Sequence, residues 1–577
     1  MNHDDIICQK NRLIQTKSQI MDRIIKFLIC PAAAIVFCGM AAPAVAQPAQ
    51  TPPSRPKIVI GLVVDQMRWD FLYRFRDRYG ADGFNRLRRD GFSCESTYIN
   101  YVPSVTAVGH SSIFTGTVPA IHGITGNSFI VRATGKSVYA VDDPDVRPVG
   151  GSGNKGRSPK NLLANTITDE VKLASNFRSK VIGVALKDRT AILPAGHAAD
   201  GAFWFDDTQG TWGSSTYYME KLPEWVEKFN ASGRIQELVN QPWTPLYPLE
   251  TYKQSQPASN PYERSLGPDV SKDFPMDVSK MFKEPYGGLR RTPGGNTLTL
   301  DFAQAAIEGE KLGQGDTMDF LTISLSTPDF AGHIFGPNSP KMEDMYLRLD
   351  RDVAAFLSWL DARFGKNGYL LFVTADHGAA HTASFLTDHK MPGGVWSSKE
   401  ITEELNAKLK EKYGIPGLIL SISKYNLYLD EALVAKHKID AGALRADIVE
   451  LLQKMEGMAF ALDLDKIQEA VIPAVLKEIF VNGYFPERCG PIQLVPKPGW
   501  YISGEPLGTT HGLWNPYDTH IPLVWMGWGI KPGRTGRRVD MTDIAPTLAA
   551  ILDIQQPNGC IGEPIPEVLD HSAFARP

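Results

Sequence analysis

The pair Asp376-His377 directly follows the apolar run Tyr369-Leu370-Leu371-Phe372-Val373. A run of this kind, with Val and aromatic residues, is predicted to form a buried strand. Open α/β sheets bind ligands just beyond the carboxyl ends of their strands. Two good metal-ligand types therefore sit where such a fold does its chemistry. The placement recurs along the chain: Asp65 follows the apolar run 58–64, Asp329 and His333 follow the run 320–326, and His511 lies in Gly508-Thr509-Thr510-His511-Gly512 before another apolar stretch. Three Asp and three His divide into two carboxylate-containing sites, one with a single His and one with two, which is a metalloenzyme pattern. Caps, buried polar groups and ion pairs account for most isolated Asp and His residues, but six at strand ends are poorly explained that way.

Two further segments carry reactive or charged groups. Pro103-Ser104-Val105-Thr106-Ala107-Val108-Gly109-His110-Ser111-Ser112 combines hydroxyls with a helix start. A hydroxyl there faces unpaired N–H groups and the positive end of the helix dipole, a setting suited to an anionic phosphoryl group. Taken alone, Thr106 reads as a helix cap, because a Thr hydroxyl is a poor nucleophile until a base or metal lowers its pKa. Lys187-Asp188-Arg189 would ordinarily be a solvated charged loop, yet it follows the apolar run 180–186 and so lies just beyond another strand.

These groups must be positioned by a large scaffold. The chain has 577 residues, 43% hydrophobic and 21% charged, a globular composition too long for one plain domain. A formal charge of −4 without a long basic run argues against nucleic acid as a structural partner. Arg23 and Lys26 precede an apolar stretch at 27–37, and Ala44-Val45-Ala46 offers a small-x-small cleavage site. Residues 1–46 are thus expected to be a cleavable signal peptide, cut after Ala46, with Met21 as an alternative start. The expected location is periplasmic or secreted. The apolar stretch is too short and interrupted for a transmembrane helix, so no stable membrane anchor is expected. Cleavage leaves Cys94, Cys489 and Cys560, which allow one disulfide with one thiol over and do not identify the pair. No Cys lies in a metal-type cluster, so the ligands must be N and O.

Residues 47–56 read as a flexible leader, followed by one domain over 57–577 with insertions at 206–297 and 382–498. The first core block holds the strand 58–64 and a helical pattern over 71–90. The core resumes with a helix at 298–311, strand 320–326, a helix at 342–363 and strand 369–374. The second insertion shows helical patterns at 398–412 and 441–458 and short strands at 417–422 and 425–429. A strand at 521–525 and a helix at 542–552, with Thr542 as its cap, complete the core. Strands alternating with helices predict an α/β fold with a doubly wound, mostly parallel central sheet flanked by helices, the insertions forming a cap or side region.

Seven segments in this order carry a resemblance: Val64-Asp65-Gln66-Met67, Pro103-Ser104-Val105-Thr106, Gly123-Ile124-Thr125-Gly126-Asn127, Lys187-Asp188-Arg189, Ser326-Thr327-Pro328-Asp329 with His333, Thr374-Ala375-Asp376-His377-Gly378, and Thr510-His511-Gly512. The chain resembles the alkaline phosphatase superfamily, most closely its threonine-nucleophile, PafA-type monoesterases. The resemblance implies two zinc ions per chain. Asp65, Asp376 and His377 would hold the one that favours the Thr106 alkoxide, and Asp329, His333 and His511 the one that stabilises the leaving oxygen. It further implies that Asn127, Lys187 and Arg189 bind phosphoryl oxygens, and that small-molecule phosphate monoesters are hydrolysed through a phosphothreonine. The rival is a nucleotide pyrophosphatase/phosphodiesterase of the same superfamily, which lacks such a Lys/Arg pair. An aryl sulfatase is disfavoured because no Cys-x-Pro-x-Arg signal is present, and a non-catalytic secreted zinc-binding protein is the remote alternative. Six ligands complete two sites, so His110, His122 and His381 receive no metal role. Oligomeric state is left open.

Overall fold

Five parallel strands set the architecture: β1 (Ile58–Val64), β2 (Val181–Ala185), β3 (Gly201–Asp206), β4 (Asp319–Leu325) and β5 (Tyr369–Thr374). All but β3 are buried along their whole length, and their unbroken apolar sequences suit strands covered on both faces. They pair in the order β5-β1-β4-β2-β3, with Ile60 opposite Leu371 on one side and Leu321 on the other. The computed structural model describes residues 54–267 and 270–569. The expected signal peptide and most of the expected leader lie outside the described residues.

The sheet is mostly parallel at its centre and antiparallel at its ends. Leu523–Gly527 pairs antiparallel with β5 and continues to Phe92–Tyr98. At the other end Thr211–Ser215 pairs antiparallel with β3, and Pro148–Val149 follows it. The sheet thus runs on into the segment 206–297, whose remaining part carries the short helices Glu224–Asn230 and Arg234–Asn240. Among the described residues no helix is long and apolar enough to cross a membrane.

Four helices matter for the site: α1 (Thr106–Thr115), α2 (Asp188–Ala195), α3 (Thr327–Phe335) and α4 (Pro340–Phe364). Three of them begin within two residues of a candidate site residue. The segment 382–498 builds its own four-stranded sheet from Ile419–Ser423, Asn426–Leu429, Met458–Asp463 and Ile492–Pro496. Helices Ser398–Tyr413 and Ala441–Gln453 supply Leu405, Leu409, Leu444 and Ile448 to an apolar cluster separate from the main core. This cap is tied to the core by the Arg488 guanidinium, whose Nη1 donates to the carbonyls of Gly123 (2.7 Å) and Asn161 (2.8 Å).

Three expectations need correction. The helical pattern over 71–90 is broken into Phe71–Arg74 and Phe84–Asp90. The reason is tertiary: the Asp350 carboxylate on α4 accepts from the amides of Gly80 and Phe84, both at 2.7 Å, and pulls the intervening chain into a turn. The helix expected over 542–552 is Ile544–Leu552, preceded by a 3₁₀ turn at Met541–Asp543. That turn is capped by a reciprocal Asp540/Asp543 box and not by Thr542. Among the described residues Cys94, Cys489 and Cys560 are all free, so the one disulfide the sequence allowed between them is not formed.

Candidate active site

Thr106 is the first residue of α1, entered from an extended Val105. Every residue of this helix is buried, so its hydroxyls and imidazole need internal partners. Ser111 donates to the Ala107 carbonyl (2.8 Å), Ser112 pairs with His122 Nε2 (3.0 Å) and His110 Nε2 with Ser324 Oγ (2.9 Å). Ser104 donates to the Leu513 carbonyl at 2.7 Å. These competing hydroxyls are thus engaged in packing, whereas Thr106 Oγ1 faces His377 Nε2 at 3.5 Å. Gly116 ends the helix in the left-handed region, at φ 64°.

The ends of adjacent strands converge on this hydroxyl. Asp65 follows β1, Lys187 follows β2, Asp329 lies in the first turn of α3 after β4, and Asp376-His377 follow β5. His511 arrives from the loop before Leu523–Gly527, and His333 lies one turn along α3 from Asp329. Five of the six sequence-predicted ligands are buried together, and the half-buried His333 lies at their edge. Ligand atoms of Asp65, Asp376 and His377 lie within 4.8 Å of one another, as do those of Asp329, His377 and His511. His333 Nε2 approaches Asp329 Oδ1 at 3.1 Å and completes the second set.

The donors are oriented for metal. Nδ1 of His333, His377 and His511 points to the carbonyls of Thr509 (2.9 Å), Gly378 (3.0 Å) and Ser104 (2.8 Å), which leaves each Nε2 to the cage. Burial pushes the His511 imidazole down to about 4 and, with His511 beside it, depresses His377, so both are neutral as ligation requires. Asp65 Oδ1 and Asp376 Oδ2 are buried and accept no hydrogen bond. Burial, together with Asp329 and Asp376, raises the Asp65 carboxyl well above its usual range, and burial lifts Asp376 to about 7. Asp329 stays well below the usual range despite its burial, because His333 and Lys187 stabilise its charge. Two carboxylates with an unused oxygen, a third held in its charged form and two neutral imidazoles fit divalent cations.

Lys187 is buried, and its Nζ sits 2.6 Å from Asp65 Oδ2 and 2.5 Å from Asp329 Oδ2. Arg189 is held by the Tyr139 hydroxyl, which accepts from its Nη1 at 3.1 Å, while its Nε has no partner. Asp188 fixes that arrangement. It accepts from Tyr139 Oη (2.5 Å), from the Arg189 amide (2.7 Å) and from Arg157 Nε (2.8 Å). Asn127 Oδ1 accepts from the Ala107 amide at 2.8 Å and so ties the Gly126-Asn127 loop to the start of α1. Trp243 donates from Nε1 to buried Asp344 at 2.7 Å and belongs to the core.

Sequence reasoning missed two supporting residues. Gln66, at φ 64°, donates from its amide to Asp376 Oδ1 (3.1 Å) and from Nε2 to Asp329 Oδ1 (2.6 Å), bridging the two ligand sets. A left-handed non-glycine residue has no sequence signature. Tyr139 comes from the short hairpin of Ser128–Val131 and Lys136–Tyr139, and only the fold brings it to Arg189.

Comparison with known proteins defines the class. A family model described as type I phosphodiesterase / nucleotide pyrophosphatase matches residues 59–521, and the chain belongs to that family, in its alkaline phosphatase-like, PafA-type branch. It is 48% identical over 518 residues to alkaline phosphatase PafA of Elizabethkingia meningoseptica, covering 89% of this chain and 95% of the relative. It is 46% identical over 549 residues to alkaline phosphatase PhoV of Synechococcus elongatus (94% and 99%). It is also 50% identical over 521 residues to a Myroides odoratus protein named calcium-transporting ATPase (89% and 95%). The crystal structure of wild type PafA matches with a TM-score of 0.86 at 47% identity, covering 89% of this chain and 99% of that one.

Proposed function

We propose that this chain, a phosphomonoesterase of the alkaline phosphatase class, works by double displacement through Thr106, with zinc at both metal positions and outside the cytoplasm. The observation that carries the reading is the convergence of Thr106, five buried Asp/His donors and the Lys187 ammonium, with His333 at the edge and Arg189 within electrostatic reach of Asp65. Asp65, Asp376 and His377 would hold one ion, and Asp329, His333 and His511 the other. Bound there, the two ions would supply Lewis acidity at the attacking and the departing oxygen.

The chain's own residues do the remaining work. The start of α1 places the Thr106 hydroxyl against the cage, with the positive end of the helix dipole toward an incoming dianion. Thr106 attacks phosphorus in line, the alcohol departs on the opposite side, and water then releases phosphate from the phosphothreonine. Asn127, Lys187 and Arg189 bind the equatorial oxygens, where charge is greatest. A monoester carries up to two negative charges on those oxygens and a diester one, so two cations favour the monoester over the diester reading that the family description also covers. Phosphoester hydrolysis and ATP hydrolysis share the P–O cleavage for which these groups are suited, which accommodates the differing names of the relatives. Zinc is proposed from the imidazole-rich, oxygen-and-nitrogen donor set. Export rests on the Arg23/Lys26, apolar 27–37 and Ala44-Val45-Ala46 pattern.

The test is to incubate the zinc-loaded protein with a phosphate monoester, quench in acid and map the peptides by mass spectrometry. A phosphoryl adduct on the Thr106 peptide, absent in Thr106→Ala, is the expected result. A turning-over enzyme with no adduct, or with the adduct elsewhere, would contradict the nucleophile assignment.

A further inference from the structure

The cap strands Ile419–Ser423 and Asn426–Leu429 form an antiparallel hairpin whose two turn residues are Lys424 and Tyr425. Both lie in the left-handed region, at φ 49° and 65°. Two-residue hairpin turns with two positive φ values normally use Asn-Gly or Gly-Gly, because side chains are disfavoured there. A Lys-Tyr pair in such a turn carries backbone strain, and strain of this kind gathers at binding sites.

Each turn residue lies beside a loop that carries a candidate site residue. Tyr425 is buried; its hydroxyl accepts from the Ile502 amide at 3.2 Å and its carbonyl from the Leu494 amide at 2.8 Å. A Cβ at Gly512 would meet the Tyr425 ring at 3.4 Å, so this ring packs beside the loop that carries His511. Lys424 lies over the opposite loop. A Cβ at Gly126, next to Asn127, would be 3.8 Å from the Lys424 Cγ.

The Lys424 side chain is exposed to water. Its ammonium is within electrostatic reach of Arg189 and Asp329, and burial followed by Arg189 lowers its pKa. Among the described residues no ion pair or hydrogen bond engages it. A lysine in a strained turn, near another cation and without a paired anion, is poised for an anion from outside the chain.

We propose that Lys424 is a specificity-determining residue that binds a second anionic group, a carboxylate or further phosphoryl group, on the alcohol portion of the substrate. The proposal rests on the monoesterase reading above and deepens it. The transferred phosphoryl group already has Asn127, Lys187 and Arg189. Tyr425 packs beside His511, the ligand assigned to the departing oxygen, and Lys424 over the Gly126-Asn127 loop, so the turn bridges the leaving side of the site and the loop of a phosphoryl-binding residue. Its origin in the cap, some three hundred residues from Thr106 in sequence, makes the cap a reader of the alcohol and leaves the chemistry to the core.

The experiment compares phenyl phosphate with 4-carboxyphenyl phosphate in zinc-loaded wild type, Lys424→Gly, Lys424→Arg and Lys424→Glu. Glycine keeps the left-handed backbone and removes the ammonium, so turn geometry and charge are separated. The ratio of kcat/KM for the carboxylated over the plain ester should fall about five- to tenfold in Lys424→Gly, fall further in Lys424→Glu and be retained in Lys424→Arg. Calorimetric binding of benzylphosphonate and 4-carboxybenzylphosphonate should show the same ratio changes without turnover. An unchanged ratio in Lys424→Gly and Lys424→Glu, including an equal loss on both esters, would overturn the assignment. A wild type that binds both phosphonates with the expected discrimination but hydrolyses neither ester would instead refute the monoesterase reading and leave the Lys424 site standing.

Discussion

Gly109, on α1, brings the helix of the proposed nucleophile close against the chain just past β5. A Cβ placed there would lie 2.4 Å from the Asp376 carbonyl oxygen, 2.7 Å from Asp376 Cβ and 2.9 Å from Asp376 Cα. These neighbours are backbone or next to it, at the end of β5, which is clamped between β1 and Leu523–Gly527. Gly109→Ala therefore cannot be absorbed by rotating a flexible side chain. Recovering ordinary contact means separating Thr106 from Asp376-His377 by about 1 Å, a displacement of the size that reduces turnover about 100-fold when reacting groups must be aligned. Helix propensity acts the other way, favouring Ala over Gly by about 1 kcal/mol, while overpacking typically destabilises by about 1–3 kcal/mol. The expected result is a cooperative melt at somewhat lower temperature and a kcat/KM for an aryl phosphate monoester lower by about 100-fold at saturating zinc. Wild-type kcat/KM with a raised Tm would refute the reasoning, because it would mean that the spacing of α1 and β5 is not what aligns the site.

Two further outcomes follow from the same geometry. Asn127→Asp keeps an acceptor for the Ala107 amide but turns the group facing the substrate from a donor into an anion. Its kcat/KM should drop by about 100- to 1000-fold, with Tm little changed; a loss of Tm comparable to the loss of activity would show that Asn127 acts mainly as a strut. Asp518 is buried, and burial raises its carboxyl to about 8 even though the amides of Leu513 and Gly512 favour its ionised form. The folded chain thus retains a proton that the unfolded chain releases near pH 4, so this contribution to stability is full below that pH, declines as pH rises and is gone above about 8. Urea midpoints measured from pH 5 to 8 should fall less steeply in Asp518→Asn than in wild type; parallel slopes would contradict the shift.

The legible part of the site was the part set by strands. β1, β4 and β5 are buried on both faces, so their sequences are continuous apolar runs whose ends can be seen. The residues just past those ends are the proposed ligands Asp65, Asp329 and Asp376-His377. Thr106, Asn127, Lys187 and Arg189 became readable only as an ordered set of segments, since each alone is an ordinary cap, turn or surface charge. What stayed hidden depends on partners distant in sequence. Gln66 owes its role to a left-handed backbone between two ligand sets, Tyr139 to a hairpin that swings across to Arg189, and Lys424 to the way the cap closes over the core. The break within 71–90 has the same origin, because the periodicity of that segment carries no trace of Asp350.

The central claim is that Lys187 and Arg189 make this site select phosphate monoesters. Its most direct test is kcat/KM for an aryl phosphate monoester and the matched aryl methyl diester, measured on zinc-loaded wild type and on the Lys187→Ala/Arg189→Ala double variant. A strong wild-type preference for the monoester that the double variant loses is the expected result. A wild type that prefers the diester, with little change in the double variant, would contradict the account and make the protein a phosphodiesterase.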